Sequence, residues 1–218
     1  MVSPNNMSVF LIYKGFLQSL CRQSHNNHFI RFYFMPQTIN RIYWIVHPAV
    51  PVAVNDKNFR INPKEAADFI ERKIMPVIER AAKEPQSLVV FVRSPWEYLM
   101  ERSAEPGFST ARIRKMIGIE KKLEKTLGKS LGNRAVVPFD PNFLEHPTET
   151  AGKMIEAKGF VVSKNALVRG YGAYREICPE RFPRMFAQGL GLKRVPSVSK
   201  PGTVSLHSLA QRKQKKRG

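Results

Sequence analysis

Short, uninterrupted apolar runs alternate with longer amphipathic segments along the middle of this chain. Three of the runs are RIYWIV at 41–46, SLVVFV at 87–92 and RAVVPF at 134–139. Each is rich in β-branched and aromatic residues, which is typical of strands buried on both faces of a parallel sheet. A fourth run, ALVRGYGAY at 166–174, is also interpreted as a strand although glycines interrupt it. A short further strand is indicated at 202–206.

Helix signals fill the segments between these runs. The predicted starts and ends are Asn62-Pro63 to Ala81, Thr110 to Gly128, and Thr148 to Gly159. Each start carries a capping residue, and the last two helices close at a glycine. Pro76 is predicted to kink the first helix, because proline removes a backbone donor and clashes with the preceding turn.

Strands that alternate with helices predict right-handed βαβ units. We therefore predict a three-layer α/β domain over residues 38–206. Its sheet is expected to be mostly parallel, with four or five strands and helices on both faces. A basic tail at 207–218 is predicted to be disordered when free, because it has no apolar periodicity.

The N-terminal extension, 1–37, has two interpretations. Residues 1–34 contain no acidic residue and several Ser and Asn, so their composition resembles a transit peptide. Alternatively, translation starts at Met35, directly before the first clear strand. The organisation of the downstream chain favours the start at Met35.

The cysteine content indicates a reducing environment. Cys21 and Cys178 are the only two cysteines, which is too few for a disulfide framework. No apolar stretch approaches the roughly 20 residues that a membrane span needs. A cytoplasmic location is therefore expected.

The charge balance favours a polyanionic partner. The chain has 36 Lys and Arg against 17 Asp and Glu, a formal net charge of +19. Basic residues are dense on one face of the second helix and in the tail, and those that we expect to contact nucleic acid are Lys121, Lys122, Lys125, Arg212, Lys213, Lys215, Lys216 and Arg217. This distribution predicts association with a polyanion, most simply RNA. The alternative interpretation is that the charge only keeps the protein soluble.

Polar side chains follow three of the predicted strands, each directly or closely before a proline. They are His47, Arg93 and Asp140. Ligands of open parallel sheets bind beyond the carboxyl ends of the strands, so these residues could form a site for a small molecule. His47 or Asp140 would act as a base and Arg93 would bind an anion. The alternative is that the prolines merely end the strands.

Cys178 follows the fourth strand in the stretch YREICPERF and precedes a helix. This order of strand, turn, cysteine and helix resembles the isochorismatase-like cysteine hydrolases. The resemblance implies a nucleophilic Cys178 in a hydrolase or transferase. Members of that family pair the cysteine with an aspartate at the end of the first strand and a lysine from a later strand. Here the first-strand position is His47, and no lysine stands out at a strand end.

Pro179 in this stretch and Pro183 directly after it support another interpretation of Cys178. A helix that starts before Pro183 would lose a hydrogen bond at that residue, at a cost of roughly 3 kcal/mol. We therefore expect the helix to start near Pro183. Cys178 would then lie outside the helix as a buried, inert residue.

No cofactor or metal is expected. Gly128-Lys129-Ser130 and Gly170-Tyr171-Gly172 lack the glycine spacing of phosphate-binding loops. Asp140, Glu145 and His146 match no metal-ligand spacing that carries weight.

Overall fold

A computed structural model describes residues 36–53, 63–105, 108–139, 147–173, 178–193 and 203–205. All of them belong to one compact unit, Pro36–Gly218. The predicted basic tail and residues 1–35 of the predicted extension lie outside the described residues.

The core of the fold is a parallel sheet of five strands. They are β1 (Gln37–Val46), β2 (Ser87–Val92), β3 (Ala135–Val136), β4 (Phe160–Gly172) and β5 (Thr203–Ser205). Their order is β3-β2-β1-β4-β5, and every pairing is parallel. The predicted α/β class and the predicted parallel sheet are confirmed.

β2 has the predicted bounds, whereas the other strands differ from them, and β1 begins at Gln37, four residues earlier than predicted. β3 contains two residues and lies at the edge of the sheet, where Pro138 costs no ladder hydrogen bond on its open side. β4 begins at Phe160, six residues earlier than predicted. Only Phe160 is buried in its first six residues, which end in Ser163, Lys164 and Asn165, so this half lacks the continuous apolar run that identifies a buried strand.

Seven α-helices are found among the described residues, joined in places by 3₁₀ or π turns. They are α1 (Val50–Ala53), α2 (Pro63–Phe69), α3 (Met75–Lys83), α4 (Trp96–Glu101), α5 (Thr110–Leu131), α6 (Pro147–Ala157) and α7 (Cys178–Gly189). None of them combines the length and the apolar character that a membrane span requires.

The helices cover the two faces of the sheet and form two hydrophobic cores. One core packs Tyr43 and Ile45 of β1 against α1 to α5, and α5 contributes Ile113 and Met116. The other packs Trp44 of β1 against α6 and α7. Because side chains of a strand alternate between faces, one apolar run of β1 supplies both cores.

The helix predicted around Pro76 changes its geometry one turn before the proline. A π turn, Ile70–Ile74, connects α2 to α3, and the Met75 N–H donates to the Ile70 carbonyl. The wider turn makes room for Pro76, which has no N–H and clashes with the carbonyl of an ordinary preceding turn. A π turn therefore lies shortly before the proline at which a kink was predicted.

The predicted end of the second helix at Gly128 is wrong. α5 continues to Leu131 and ends at Gly132, whose φ of 57° lies in the left-handed region. Burial of Leu131 extends the apolar face by one more turn and outweighs the weak helix propensity of Gly128.

The predicted start of the last helix near Pro183 is also wrong. α7 begins at Cys178 and contains Pro183 in its interior. Phe182 and Phe186 are buried against the sheet, and the Phe186 ring packs 5.1 Å from that of Trp44. Phe182 lies before Pro183, so its burial against the sheet offsets much of the roughly 3 kcal/mol that the proline costs.

The two glycines near the end of α5, Gly128 and Gly132, provide a test of where this helix ends. Gly128→Ala should raise the free energy of unfolding by about 1 kcal/mol, since Gly128 is helical and has open space around it. Gly132→Ala should lower it by about 1 kcal/mol or more, because φ is positive there. Urea unfolding of the two variants measures both changes. If Gly128→Ala were destabilised and Gly132→Ala stabilised, the helix would end at Gly128.

Candidate functional site

The parallel strands end at one edge of the sheet, and the ends of β1 and β2 are adjacent. Val46 pairs with Val92, and the His47 N–H donates to the Val92 carbonyl at 3.2 Å. Arg93 in turn forms an isolated parallel bridge with Phe139, which follows β3. The edge where sequence analysis expected a site therefore brings the backbones of His47 and Arg93 together.

His47 is buried beneath this edge. Its side chain is 3% exposed, its φ is 44°, and its ring meets the Phe182 ring edge-on at 6.2 Å. Burial lowers the pKa of the imidazole to about 3, so the ring is neutral near pH 7. A base with so low a pKa accepts protons poorly at that pH.

Arg93 lies on the other face of the sheet. His47 contacts Phe182 of α7, whereas Arg93 contacts Trp96 at the start of α4, which packs against the core beneath α5. The side chains of His47 and Arg93 are therefore not brought together. Asp140 lies outside the described residues. Cys178 is the first residue of α7, and its side chain is not described.

Arg93 is held between two aromatic rings. Its guanidinium carbon lies 4.1 Å from the centre of the Trp96 ring and 4.8 Å from the centre of the Phe139 ring. Such stacking fixes the guanidinium plane and leaves its N–H donors at the rim. No hydrogen bond or ion pair among the described residues engages those donors. We call Arg93, Trp96 and Phe139 the aromatic–arginine cluster.

A buried carboxylate fixes the position of this cluster. Glu120 of α5 has no exposed surface and accepts hydrogen bonds from the Ser94 hydroxyl at 2.5 Å, the Ser94 N–H at 3.0 Å and the Trp96 indole N–H at 2.7 Å. Burial raises the pKa of Glu120 to about 7, although these hydrogen bonds favour the charged form. The three bonds fasten the end of β2 to the middle of α5.

Glu120, Trp96 and Phe139 were not predicted from the sequence, although the pattern of α5 contains one signal. The apolar face of α5 repeats at alternating steps of three and four residues, and the residue of that repeat between Met116 and Leu123 is Glu120. An acidic residue in the middle of an apolar helix face must be paired or neutral when buried. It therefore indicates a buried polar contact.

The exposed face of α5 carries a row of basic residues, which we call the basic stripe. Its members are Arg114, Lys115, Lys121, Lys122, Lys125 and Lys129. At 3.6 residues per turn, all six lie within about 60° of Gly118 around the helix axis, opposite the buried face. None of the ion pairs among the described residues involves the stripe, and Glu124 is the one other acidic residue of α5 besides Glu120.

Lys121 joins the stripe to the cluster. Its ammonium lies 5.5 Å from the centre of the Trp96 ring, and it directly follows Glu120 in the chain. The predicted nucleic-acid residues Lys121, Lys122 and Lys125 are thus part of a larger exposed surface. The predicted tail residues, Arg212 to Arg217, lie outside the described residues.

No group of three or more His, Cys, Asp or Glu side chains that could hold a metal ion is found in the described part of the chain. Comparison of the chain with protein-family models, with curated proteins and with solved structures found no match. The resemblance to isochorismatase-like hydrolases therefore depends on the residues around Cys178 alone.

The raised pKa of Glu120 predicts a specific pH dependence of the free energy of unfolding. A carboxyl group whose pKa is raised on folding binds its proton more tightly in the folded state. The free energy of unfolding should therefore fall as the pH rises from about 4.5 to about 7, by up to about 3 kcal/mol from this group. Urea unfolding at pH 5 and pH 7.5 measures the difference.

Glu120→Gln is the matched control, because it keeps an acceptor oxygen for Trp96 and cannot ionise. This variant should lose that part of the pH dependence, so its stability should approach or exceed that of the wild type at pH 7.5. Parallel stability profiles of the two proteins from pH 5 to pH 7.5 would show that Glu120 does not titrate in this range.

Proposed function

We propose that this protein binds RNA through the basic stripe of α5 together with the aromatic–arginine cluster at the carboxyl edge of the sheet. The observation that carries the proposal is the contact between them: Lys121 of the stripe lies against Trp96 of the cluster. Phosphate-binding cations and exposed aromatic surface therefore form one continuous region. That combination is typical of surfaces that bind single-stranded nucleic acid.

The charge of the stripe matches a phosphodiester chain. From Arg114 to Lys129 the stripe extends along about 22 Å of helix, and its six cations have no ion-pair partner among the described residues. Cations at this density that have no paired anion repel one another and so lower the stability of the folded protein without a ligand. Contact with successive phosphates would relieve that repulsion and release condensed counterions.

Gly118 at the centre of the stripe supports close contact with a ligand. Glycine in a helix interior costs roughly 1 kcal/mol relative to alanine, and a Cβ at Gly118 would meet nothing within 4 Å. Packing within the described fold therefore gives no reason for a glycine there. A missing side chain between the cations allows a phosphate chain to approach the helix backbone.

The tail adds to the proposal from the sequence alone. Arg212, Lys213, Lys215, Lys216 and Arg217 would contribute further phosphate contacts without sequence preference. RNA is the partner to which we commit, because long single-stranded nucleic acid in cells is mostly RNA. A clear preference for a DNA strand of the same sequence would contradict this choice.

Gly118→Glu tests the stripe without disturbing the fold. The substitution places a carboxylate among the cations, and its side chain enters open space. Affinity for a short single-stranded RNA should fall roughly fivefold to tenfold at low salt, since an added anion opposes every nearby phosphate. Fluorescence anisotropy of the labelled RNA measures the affinity.

Gly118→Gln is the matched control, because it has the same size and no charge. It should bind RNA clearly more tightly than Gly118→Glu, and both variants should unfold at higher urea than the wild type. Equal affinities of the two variants, or a wild-type affinity that does not change with salt, would contradict the proposed function.

A further inference from the structure

Phe139 exposes an aromatic ring that belongs to neither hydrophobic core. It is 43% exposed, and Val161 is the other large apolar residue exposed among the described part of the chain. One neighbour of the Phe139 ring is the Arg93 guanidinium at 4.8 Å. Exposed apolar residues are common singly, but this one lies beside a cation whose donors have no partner among the described residues.

We infer that an unpaired base of the nucleic acid stacks on the Phe139 ring and that the Arg93 guanidinium donates hydrogen bonds to the same nucleotide. The inference rests on the proposed function, and it names the substrate class as a single strand. Arg93 offers donors that suit a phosphate oxygen or the acceptor edge of a base.

Only an unpaired base can use this arrangement. In a duplex both faces of each internal base are covered by its neighbours in the stack, so Phe139 has no base face to contact. Arg and Lys contacts to phosphates, in contrast, form with either a duplex or a single strand. The basic stripe alone would therefore bind single-stranded and duplex nucleic acid with similar affinity, whereas Phe139 should favour the single strand.

The contacts behind the ring organise it before binding. Glu120 fixes the Trp96 indole, Trp96 stacks on Arg93, and Arg93 lies against Phe139. Side chains that are already ordered lose less conformational entropy when a ligand binds. A base would therefore meet a platform whose geometry exists in the free protein.

The experiment compares a short labelled oligouridylate, which has little self-structure, with the same strand annealed to oligoadenylate. Anisotropy titrations at one fixed salt concentration give both affinities for the full-length protein. The wild type should bind the single strand more tightly. Phe139→Ala should reduce affinity for the single strand by roughly tenfold and leave affinity for the duplex unchanged.

Three further variants distinguish base stacking from general effects on binding. Val161→Ala removes a comparably exposed apolar side chain from β4 and should change neither affinity. Phe139→Trp keeps an aromatic ring and should bind the single strand at least as well as the wild type. Phe139→Leu keeps an apolar side chain and should behave like Phe139→Ala.

The outcomes distinguish the two proposals. RNA binding with equal affinity for single strand and duplex, or an equal loss of both affinities in Phe139→Ala, would overturn the base platform while the proposed function stands. Absence of salt-dependent RNA binding by the wild type would overturn the proposed function itself.

Discussion

The contact of Glu120 with Ser94 and Trp96 connects the sheet to α5, the longest of the helices that the structure describes. Two hydrogen bonds from Ser94, in the loop after β2, and one from Trp96, at the start of α4, end on one carboxylate that has no access to solvent. Removing that acceptor would leave the Ser94 and Trp96 donors buried without a partner, which is expensive in a protein interior. Because Trp96 supports Arg93 and contacts Lys121, this carboxylate determines the relative position of the cluster and the basic stripe.

Among the described residues, the exposed functional groups do not lie where an open α/β sheet most often binds small ligands. The strand order reverses between β1 and β4, and a crevice at that reversal is the usual ligand site. Here the residues that follow those two strands, His47 and Ala173, are buried. Arg93, whose donors have no partner among the described residues, and the exposed ring of Phe139 lie at the ends of β2 and β3 instead. Both are beside the basic stripe of α5. An open, charged and elongated surface suits an extended polymer better than an enclosed small molecule.

Strand and helix periodicity predicted the sheet because continuous apolar runs have few alternatives to burial on both faces. The errors occurred where packing between distant residues competed with local preference. Gly128 and Pro183 are both unfavourable inside a helix, yet burial of Leu131 and of Phe182 favours helices that extend past them. For the site, charge density alone identified Lys121, Lys122 and Lys125. Trp96 and Phe139 were not predicted, because their proximity to Arg93 arises from strand pairing and from Glu120.

The two tryptophans allow NMR to test directly whether RNA contacts the aromatic–arginine cluster and the basic stripe together. Trp44 is buried in the core between the sheet and α7, and Trp96 lies in the cluster. On titration with single-stranded RNA, the indole N–H resonance of Trp96 should shift together with the backbone amides of the stripe, at one common saturation point. The Trp44 resonance should stay unchanged. A Trp96 resonance that does not move while RNA binds elsewhere would contradict the account.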